Sequence, residues 1–305
     1  MSQPLFTVFT PTYNRAHTLP RLYASLLAQT ARNFEWLVID DGSSDGTREL
    51  VEGWTAEGRL PIRYRWQENA HKKVAFNRAV REARGALLLP VDSDDAPFPN
   101  ALATLEQLWQ DIPHPRRSEY SAVTVLCVNP DGGVVGSRFP AHQVDTSPME
   151  LRYRHRVRGD KWGFQRVDVL RLFPFPEDVR GLVPESIVWD RIGRQYLTRY
   201  VDIPLLVVHP TPESLTRTAD FRASVDGLAL LAREVVETNL RWFAWDPIEI
   251  LKRAAGYTRF SLHLAAEQPG KRWPLKHFSG RMLAAAMWPI GMALFAIDRF
   301  RLRHV

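Results

Sequence analysis

Hydrophobic positions in the first 128 residues follow two alternating periods. Five short, mostly apolar runs predict buried strands: LFTVFT (5–10), EWLVID (35–40), IRYRW (62–66), ALLLPV (86–91) and SAVTVLCV (121–128). Helical spacing of apolar residues predicts helices at 18–29, 46–58, 72–85 and 99–110, with Gly58 and Gly85 as helix C-caps. Strands alternating with helices predict an α/β fold with a mostly parallel central sheet flanked by helices.

The pattern changes after residue 128. NPDGGVVGS is typical of a turn, residues 140–180 show weak periodicity, and a helix (184–196) and a strand (199–209) follow. The remaining residues have the pattern of helices. We therefore predict one domain over residues 1–215, with halves at 1–128 and 129–215, and a helical C-terminal extension over 216–305.

Three polar clusters directly follow predicted strands. They are Thr10-Pro11-Thr12, Asp40-Asp41 and the DSDD sequence at 92–95. Ligands of such sheets bind at the carboxyl ends of the strands, so we expect the clusters to meet at one edge. Neighbouring carboxylates repel each other unless a cation or hydrogen bonds compensate. An acidic turn that caps the next helix is the alternative interpretation.

Composition narrows the class of protein. The 305 residues are 45% hydrophobic and 24% charged, as in globular proteins, and the net charge of +6 favours an anionic partner such as a nucleotide, a nucleic acid or a membrane. The single cysteine, Cys127, cannot form an internal disulfide, and its apolar neighbours predict a buried thiol in a reducing compartment. The N-terminus has no basic segment before an apolar stretch, so we expect no signal peptide and a cytoplasmic location. The sequence contains no Walker A loop, Rossmann fingerprint or paired-cysteine zinc motif.

Four segments in order carry a resemblance to a known family. FTPTYNRAHTLPRLYASLLAQT (9–30), EWLVIDDGSSDGT (35–47), NRAVREARGALLLPVDSDD (77–95) and VPESIVWDRI (183–192) resemble the inverting family-2 glycosyltransferases of the GT-A fold. The resemblance implies transfer of a sugar from a nucleotide-sugar donor to a hydroxyl, with a divalent cation, Mg²⁺ or Mn²⁺. It also implies that the anionic partner is the donor nucleotide and not a nucleic acid.

The resemblance also assigns donor-binding residues. Pro11, Thr12 and Tyr13 would line the pocket for the base and ribose, and Asp41 would accept a hydrogen bond from a base N–H, as uracil offers. The carboxylates of the DSDD sequence would bind donor and metal: Asp92 and Asp94 the donor, Asp94 and Asp95 the metal. Which of Asp94 and Asp95 contacts the metal directly stays open. For Asp40 and Asp41, turn formation and helix capping are the alternative.

Glu185 occupies the position of the family's catalytic base. A carboxylate there could take the proton of the attacking hydroxyl. A glutamate favoured by the helix dipole after Pro184 is the alternative. Ser186 departs from the family, in which an aspartate often follows the glutamate. Asp190 lies on another face of the predicted helix, so we interpret it as structural.

Four further residues are weaker candidates. Lys72 and Lys73 could approach the diphosphate or start a solvated helix. His209 could complete the metal shell or simply end a strand. Arg217 could close over the diphosphate.

The C-terminal segment suggests a membrane surface. Residues 282–297 carry no charge, are interrupted by Pro289 and Gly291, and are flanked by lysines and arginines. The run is shorter than the roughly 20 residues that span a bilayer, which favours a helix in the interface of an anionic cytoplasmic leaflet. Packing on the domain or on another subunit is the alternative.

Together these features predict a bacterial, metal-dependent inverting transferase, peripheral on the inner face of the plasma membrane. Its donor would be UDP-linked and its acceptor an envelope polysaccharide or a glycolipid. One alternative is a sugar nucleotidyltransferase, although TPTYNRAHT lacks the glycines of a phosphate loop. The other is a non-catalytic, membrane-associated protein that binds nucleotide sugars, which the carboxylates Asp94, Asp95 and Glu185 argue against.

Overall fold

The computed structural model describes residues 3–211 and 221–302. The chain divides into two compact units. The first, which we call the sheet unit, comprises Met1–Pro148, Val157–Phe175 and Arg191–Ser214, and the second, the helical unit, comprises Met149–Arg156, Pro176–Asp190 and Leu215–Val305. The last change of unit lies beside the boundary expected at residue 215. Residues 149–156 and 176–190, which the sequence places in the first domain, belong to the helical unit.

One mixed sheet organises the sheet unit. Within the described residues its strands are β1 (Phe6–Thr12), β2 (Phe34–Asp40), β3 (Ile62–Trp66), β4 (Leu87–Pro90), β5 (Ala96–Pro97), β6 (Tyr120–Val128), β7 (Gln143–Thr146), β8 (Lys161–Arg166) and β9 (Leu197–Val207). Their order is β3-β2-β1-β4-β8-β6-β9-β5, with β7 paired to β9. The run β3-β2-β1-β4 is parallel, whereas β8 pairs antiparallel with both β4 and β6.

Helices cover both faces of the parallel run, as the alternation predicts. The helices of the sheet unit are α1 (Leu19–Leu27), α2 (Thr47–Glu57), α3 (Lys72–Glu82), α4 (Ala101–Gln110) and α6 (Val167–Leu172), whereas α5 (Pro148–Tyr153) and α7 (Ser186–Ile192) lie mostly in the helical unit. On one face Tyr23 stacks on Trp54 with ring centroids 4.2 Å apart, and Trp36 of β2 lies 6.0 Å from Trp54. On the other face Phe9 of β1 meets Phe76 of α3 edge-on. Each aromatic pair contributes about 0.5 to 1.5 kcal/mol beyond its buried area, which holds the helices in place against the sheet.

Gly85 has a different role from the predicted C-cap. Helix α3 ends at Glu82, and the backbone of Ala83 is already extended. A Cβ on Gly85 would lie 2.5 Å from the backbone of Phe6 and Thr7. The glycine is required because two chain segments approach each other closely there. Gly58, with a φ of +66°, is the expected left-handed cap of α2.

Cys127 lies in β6 and is 1% exposed. Burial raises the pKa of its thiol to about 12. The prediction of a buried, unpaired thiol is therefore confirmed.

Four long helices follow in the helical unit, which confirms the helical prediction for residues 221–302. They are α8 (Phe221–Thr238), α9 (Pro247–Glu267), α10 (Phe278–Ala286) and α11 (Trp288–Arg301). Helix α9 begins with Pro247, and the side chain of Asp246 caps it by accepting the N–H of Glu249.

A buried carboxylate joins α9 and α11. Asp298 accepts two hydrogen bonds from Arg259, at 2.6 and 2.7 Å, and lies 3.0 Å from Nε2 of His263. Burial alone would raise the pKa of Asp298, but the hydrogen bonds from Arg259 and His263 outweigh it and hold the pKa below its usual range. The last helix is thus anchored by a paired charge inside the unit.

Candidate functional site

The carboxyl ends of the parallel strands bring the polar clusters to one edge of the sheet. Thr12 of β1 is in register with Asp40 of β2, and Asp40 with Trp66 of β3. Val91, just after β4, donates its N–H to the carbonyl of Phe9 at 2.8 Å. We call this edge, formed by residues 10–14, 40–43, 66–72 and 91–95, the rim. The predicted meeting of the three clusters is confirmed.

Asp40 shapes the turn at the rim. The carboxylate is fully buried. Its Oδ1 accepts the N–H of Ser43 at 2.8 Å, and its Oδ2 accepts the hydroxyl of Tyr64. Burial and this hydrogen bond raise the pKa of Tyr64 above its usual range, so the hydroxyl remains a donor. With both oxygens engaged, Asp40 fits the turn-forming interpretation.

Asp41 is buried but only half engaged. Its N–H donates to the carbonyl of Thr12 at 2.8 Å. Its Oδ1 accepts Nε2 of Gln67 at 2.7 Å and the N–H of Ala70 at 2.9 Å. Its Oδ2 accepts no hydrogen bond from residues 3–211 or 221–302. One oxygen therefore anchors the side chain, and the other can accept an N–H from a ligand.

The carboxylates of the DSDD sequence have three different environments. Asp92 is half exposed and pairs with Lys72 at 2.9 Å. Asp94 accepts the hydroxyl of Thr211 on its Oδ2 at 2.9 Å. Asp95 is 7% exposed. Burial, with the nearby charge of Asp92, raises the pKa of Asp95 to about 8. A cation would favour its charged form.

The segment after β9 is held against this loop. The backbone N–H of His209 donates to Oδ1 of Asp95 at 3.0 Å, which holds the chain at His209 against the acidic loop. Burial, together with the charge of Arg21, lowers the pKa of His209. Its Nδ1 is buried and has no hydrogen-bond partner within the described part of the chain. One ring nitrogen is thus left to bind a ligand, as the metal-shell interpretation of His209 requires.

The acidic loop and the segment after β9 contain donors that suit a divalent cation. Among residues 3–211 and 221–302, no group of three or more His, Cys, Asp or Glu side chains is arranged to hold a metal ion. Hard oxygen donors of Asp94 and Asp95 and the unpaired Nδ1 of His209 are nevertheless concentrated in two adjoining loops. Mg²⁺ in nucleotide enzymes is commonly held by one or two carboxylates plus phosphate oxygens and water, so this donor set fits such an ion.

The end of β1 offers an aromatic ring and a hydroxyl. Tyr13 is 51% exposed, while Oγ1 of Thr12 is buried and unpaired within the described residues. Pro11 precedes them in β1. Asn14, with a φ of +53°, accepts the N–H of Ser44 at 2.8 Å and thereby ties this loop to the one after Asp41.

The two lysines at the start of α3 differ. Lys72 is engaged with Asp92, as described above. Lys73 is 7% exposed, so the solvated interpretation does not hold for it. At the same end of the helix, the burial of His71 and, second, the charge of Lys73 lower the pKa of His71.

Glu185 belongs to the helical unit and is exposed just before α7. Its carbonyl accepts the N–H groups of Val188 and Trp189 at 3.0 and 3.1 Å, which defines the start of the helix. Asp190 is 3% exposed and accepts hydrogen bonds from Arg152 and Asn239. These contacts fit the structural interpretation of Asp190. Arg217 lies outside the described residues.

Sequence reasoning missed three residues that hold the candidates. Gln67 follows β3 at the rim, so the rule that found the other clusters could have found it. Tyr64 lies within β3, and its hydroxyl donates to Asp40. Thr211 holds Asp94 from 117 positions away, a pairing that no local pattern encodes.

Comparison with known families decides what kind of protein this is. The model of the family described as "Glycosyl transferase family 2" matches residues 7–166, just over half of the chain and including β1 to β4 and the rim. The chain belongs to glycosyl transferase family 2. The family predicted from the four sequence segments is thus confirmed.

Curated relatives match over shorter stretches. A validoxylamine A glucosyltransferase of Streptomyces hygroscopicus subsp. jinggangensis is 43% identical over 94 residues, which are 30% of this chain and 22% of that protein. The uncharacterised glycosyltransferase YibD of Escherichia coli K12 is 34% identical over 99 residues, which are 32% of this chain and 28% of that protein. The match therefore spans about a quarter of the length of these family members.

Solved structures extend the likeness to nearly the whole chain. Staphylococcus aureus TarS superposes with a TM-score of 0.63 at 18% identity, covering 97% of this chain and 54% of that one. The mannosyltransferase PcManGT of Pyrobaculum calidifontis, solved with GDP-Man and Mn²⁺, gives 0.55 at 22% identity, covering 99% of this chain and 83% of that one. At these identities the likeness concerns the fold, and the GT-A-like α/β fold with C-terminal helices is confirmed.

Proposed function

We propose that this family member is an inverting glycosyltransferase that moves a sugar from a UDP-linked donor to a hydroxyl of an envelope polysaccharide or a glycolipid. The observation that carries the proposal is the rim, where the half-engaged Asp41 and the DSDD carboxylates lie at neighbouring strand ends. A nucleoside diphosphate presents a base N–H and a diphosphate, which are the two groups that such a rim can bind.

The donor would lie along the rim. The free Oδ2 of Asp41 would accept the base N–H, the exposed Tyr13 would cover the base, and Pro11 and Thr12 would line the pocket. A TarS structure contains UDP-GlcNAc and PcManGT contains GDP-Man, so both kinds of base occur on this fold. Uracil and guanine both offer an N–H to a carboxylate, and the experiment below includes both.

The diphosphate would lie by the acidic loop with Mg²⁺ or Mn²⁺. When bound, the ion would neutralise the charge that develops on the departing diphosphate. Asp94 and Asp95 would hold it, with Nδ1 of His209 as a further ligand. Lys72 would stabilise the same charge. Its ion pair with Asp92 is partly exposed and therefore weak, so Lys72 could leave Asp92 and contact the diphosphate.

Glu185 would act as the base. The acceptor hydroxyl attacks the anomeric carbon from the side opposite the diphosphate and forms the new C–O bond. The bond from carbon to the diphosphate oxygen breaks, and its electron pair leaves with the diphosphate. The hydroxyl proton passes to the carboxylate of Glu185, whose exposed position permits contact with an acceptor.

The first test is a screen of radiolabelled nucleotide sugars with and without Mn²⁺. We expect slow hydrolysis of one UDP-sugar, at least tenfold faster with Mn²⁺ than in EDTA, since water replaces the acceptor in such assays. Turnover of GDP-sugars alone would show that the donor carries guanine and not the proposed uracil. Formation of a nucleotide sugar from a nucleoside triphosphate and a sugar 1-phosphate would instead establish the nucleotidyltransferase alternative.

The C-terminal helices suggest where the acceptor is met. Within the described residues no single helix is long and apolar enough to cross a membrane, whereas α10 and α11, which meet at a bend of 58°, reach that length and composition only together. Both helices carry exposed apolar side chains, namely Phe278, Met282, Trp288, Ile290, Ile297 and Phe300. Arginines and lysines flank the pair. We propose that the pair lies in the interface of an anionic bilayer and makes the protein peripheral on the inner face of the plasma membrane.

Replacing Phe278 and Phe300 together by aspartate should reduce binding to vesicles rich in phosphatidylglycerol by about tenfold or more. These side chains are 74% and 67% exposed, and burying a large apolar side chain contributes about 1.5 to 3 kcal/mol. Sedimentation with vesicles measures the change. Leu172→Asp is the matched control, because Leu172 is 67% exposed in the sheet unit.

Wild-type binding should also weaken as salt rises. If the wild-type protein ignores vesicles at low salt and the double variant dissociates a dimer, the helix pair is a subunit interface and the membrane proposal fails.

A further inference from the structure

The segment that leads into Glu185 packs directly on helix α8. A Cβ on Gly181, whose φ is +67°, would lie 2.0 Å from the carbonyl oxygen of Ala223. A Cβ on Gly227 would lie 2.1 Å from the carbonyl oxygen of Leu182. At both points the backbone of the segment touches the helix with no room for a side chain.

Gly227 also reaches the residue before Glu185. Its added Cβ would lie 3.2 Å from Cδ of Pro184. Between Leu182 and Glu185 there are only Val183, which is 5% exposed, and Pro184, whose ring restricts the backbone. A displacement at Leu182 therefore has only one buried residue and one proline over which to decay before it reaches Glu185.

A buried carboxylate fixes the same segment. Asp226 has a fully buried side chain. Its Oδ2 accepts the N–H of Arg180 at 2.8 Å and Nζ of Lys271 at 2.6 Å, and its Oδ1 accepts Nε1 of Trp273 at 2.8 Å. Lys271 also donates to the carbonyl of Asp178 at 2.7 Å. A buried carboxylate is tolerated because donors compensate its charge, and here two of them come from the connection between α9 and α10.

The contacts share one face of α8. Ala223, Asp226 and Gly227 are spaced by three and four residues, so they project from the same side of the helix. Glycine inside a helix is less favourable than alanine, and the close approach of Leu182 is the physical reason for Gly227. The face therefore combines a backbone contact with a charge that holds the segment by the N–H of Arg180.

From these contacts we infer that Asp226 and Gly227 are positioning residues for Glu185. Neither touches the reacting atoms. They set the path of residues 178–184 and thereby the place of the carboxylate at the start of α7. Lys271 and Trp273 complete the arrangement, so the connection between the last helices takes part in placing the base. This inference rests on the proposed role of Glu185.

The decisive variant is Gly227→Ala. The methyl group must push Leu182 and Pro184 away, so we expect the kcat of sugar transfer to fall at least tenfold while the donor KM stays within twofold. Gly53→Ala is the matched control, because Gly53 lies inside α2 with nothing within 4 Å of an added Cβ. We expect that control to transfer sugar at the wild-type rate.

A double-mutant cycle separates positioning from general damage. If Gly227 acts through Glu185, the alanine should have no further effect in the Glu185→Gln background, where the base is already absent. An equal loss in both backgrounds, or an unchanged kcat for Gly227→Ala, would overturn the inference and leave the proposed function intact. An active Glu185→Gln protein would instead reject the proposed base. Should Gly227→Ala not fold, Trp273→Phe, which removes one donor to Asp226 and keeps an aromatic ring, replaces it in the same cycle with an expected loss of at least threefold.

Discussion

Replacing Glu185 with glutamine is expected to lower sugar transfer by roughly two to four powers of ten, with donor affinity nearly unchanged. Glutamine keeps the shape of the side chain but cannot take a proton from the attacking hydroxyl. The carbonyl of residue 185 would still accept the N–H groups that start α7, so the helix should persist. Transfer of label from the nucleotide sugar measures turnover, and calorimetry with the donor measures affinity.

Glu177→Gln provides the control for this variant. Glu177 is exposed in the same stretch of the helical unit, so the change is chemically identical. It should leave transfer within twofold of the wild type. Weakened donor binding with unchanged turnover in Glu185→Gln would remove Glu185 from the role of base. Asp190, which is buried and accepts Arg152 and Asn239 on its Oδ2, would then be the next carboxylate to replace.

Asparagine at position 94 or 95 should reduce turnover of the donor by about a hundredfold or more, a loss of about 3 kcal/mol in transition-state stabilisation. Asparagine is the sharper choice than alanine because its side-chain oxygen can still accept Thr211 at position 94 and the N–H of His209 at position 95. The loops should therefore stay in place while the charge that would hold a cation is lost.

Binding of the ion can be measured apart from turnover. With UDP present, Mn²⁺ should raise the melting temperature of the wild-type protein by mass action and should raise that of either variant much less. Asp111→Asn, an exposed aspartate of the same unit, is the control for the chemical change. Wild-type activity that persists in EDTA, with both variants fully active, would show that the acidic loop does not work through a metal.

The sheet could be predicted where burial alone determines the pattern. Strands β1 to β4 and β6 lie within about two residues of their predicted positions. All of them except β3, in which apolar residues alternate with Arg63 and Arg65, are mostly apolar, buried runs. Strands β5, β7 and β8 escaped prediction: β8 lies in the region of weak periodicity, and β5 and β7 were missed because they are short or exposed. Strand β5 has two residues, and Gln143–Thr146 at the edge of the sheet is largely exposed, so neither leaves a periodic signal.

The candidate site was predictable to the extent that it follows from strand ends. Asp41 and the DSDD carboxylates could be placed together because parallel strands share one carboxyl edge. The environment of each carboxylate could not be predicted, because its hydrogen-bond donors come from other segments of the chain: Gln67, Thr211 and His209. Asp226 shows the limit most clearly. In the sequence it is one polar residue in an amphipathic helix, and only the fold brings Lys271 and Trp273 to it.

The buried Cys127 makes this chain a convenient starting point for site-specific labelling. A thiol that is 1% exposed and has a pKa near 12 is shielded from maleimide reagents at neutral pH. An introduced cysteine would then carry the dye by itself, with no need to remove the native residue from the core. Met282→Cys labelled with an environment-sensitive fluorophore would report the polarity around α10 directly, and Leu172→Cys would supply the spectrum of the same dye in water.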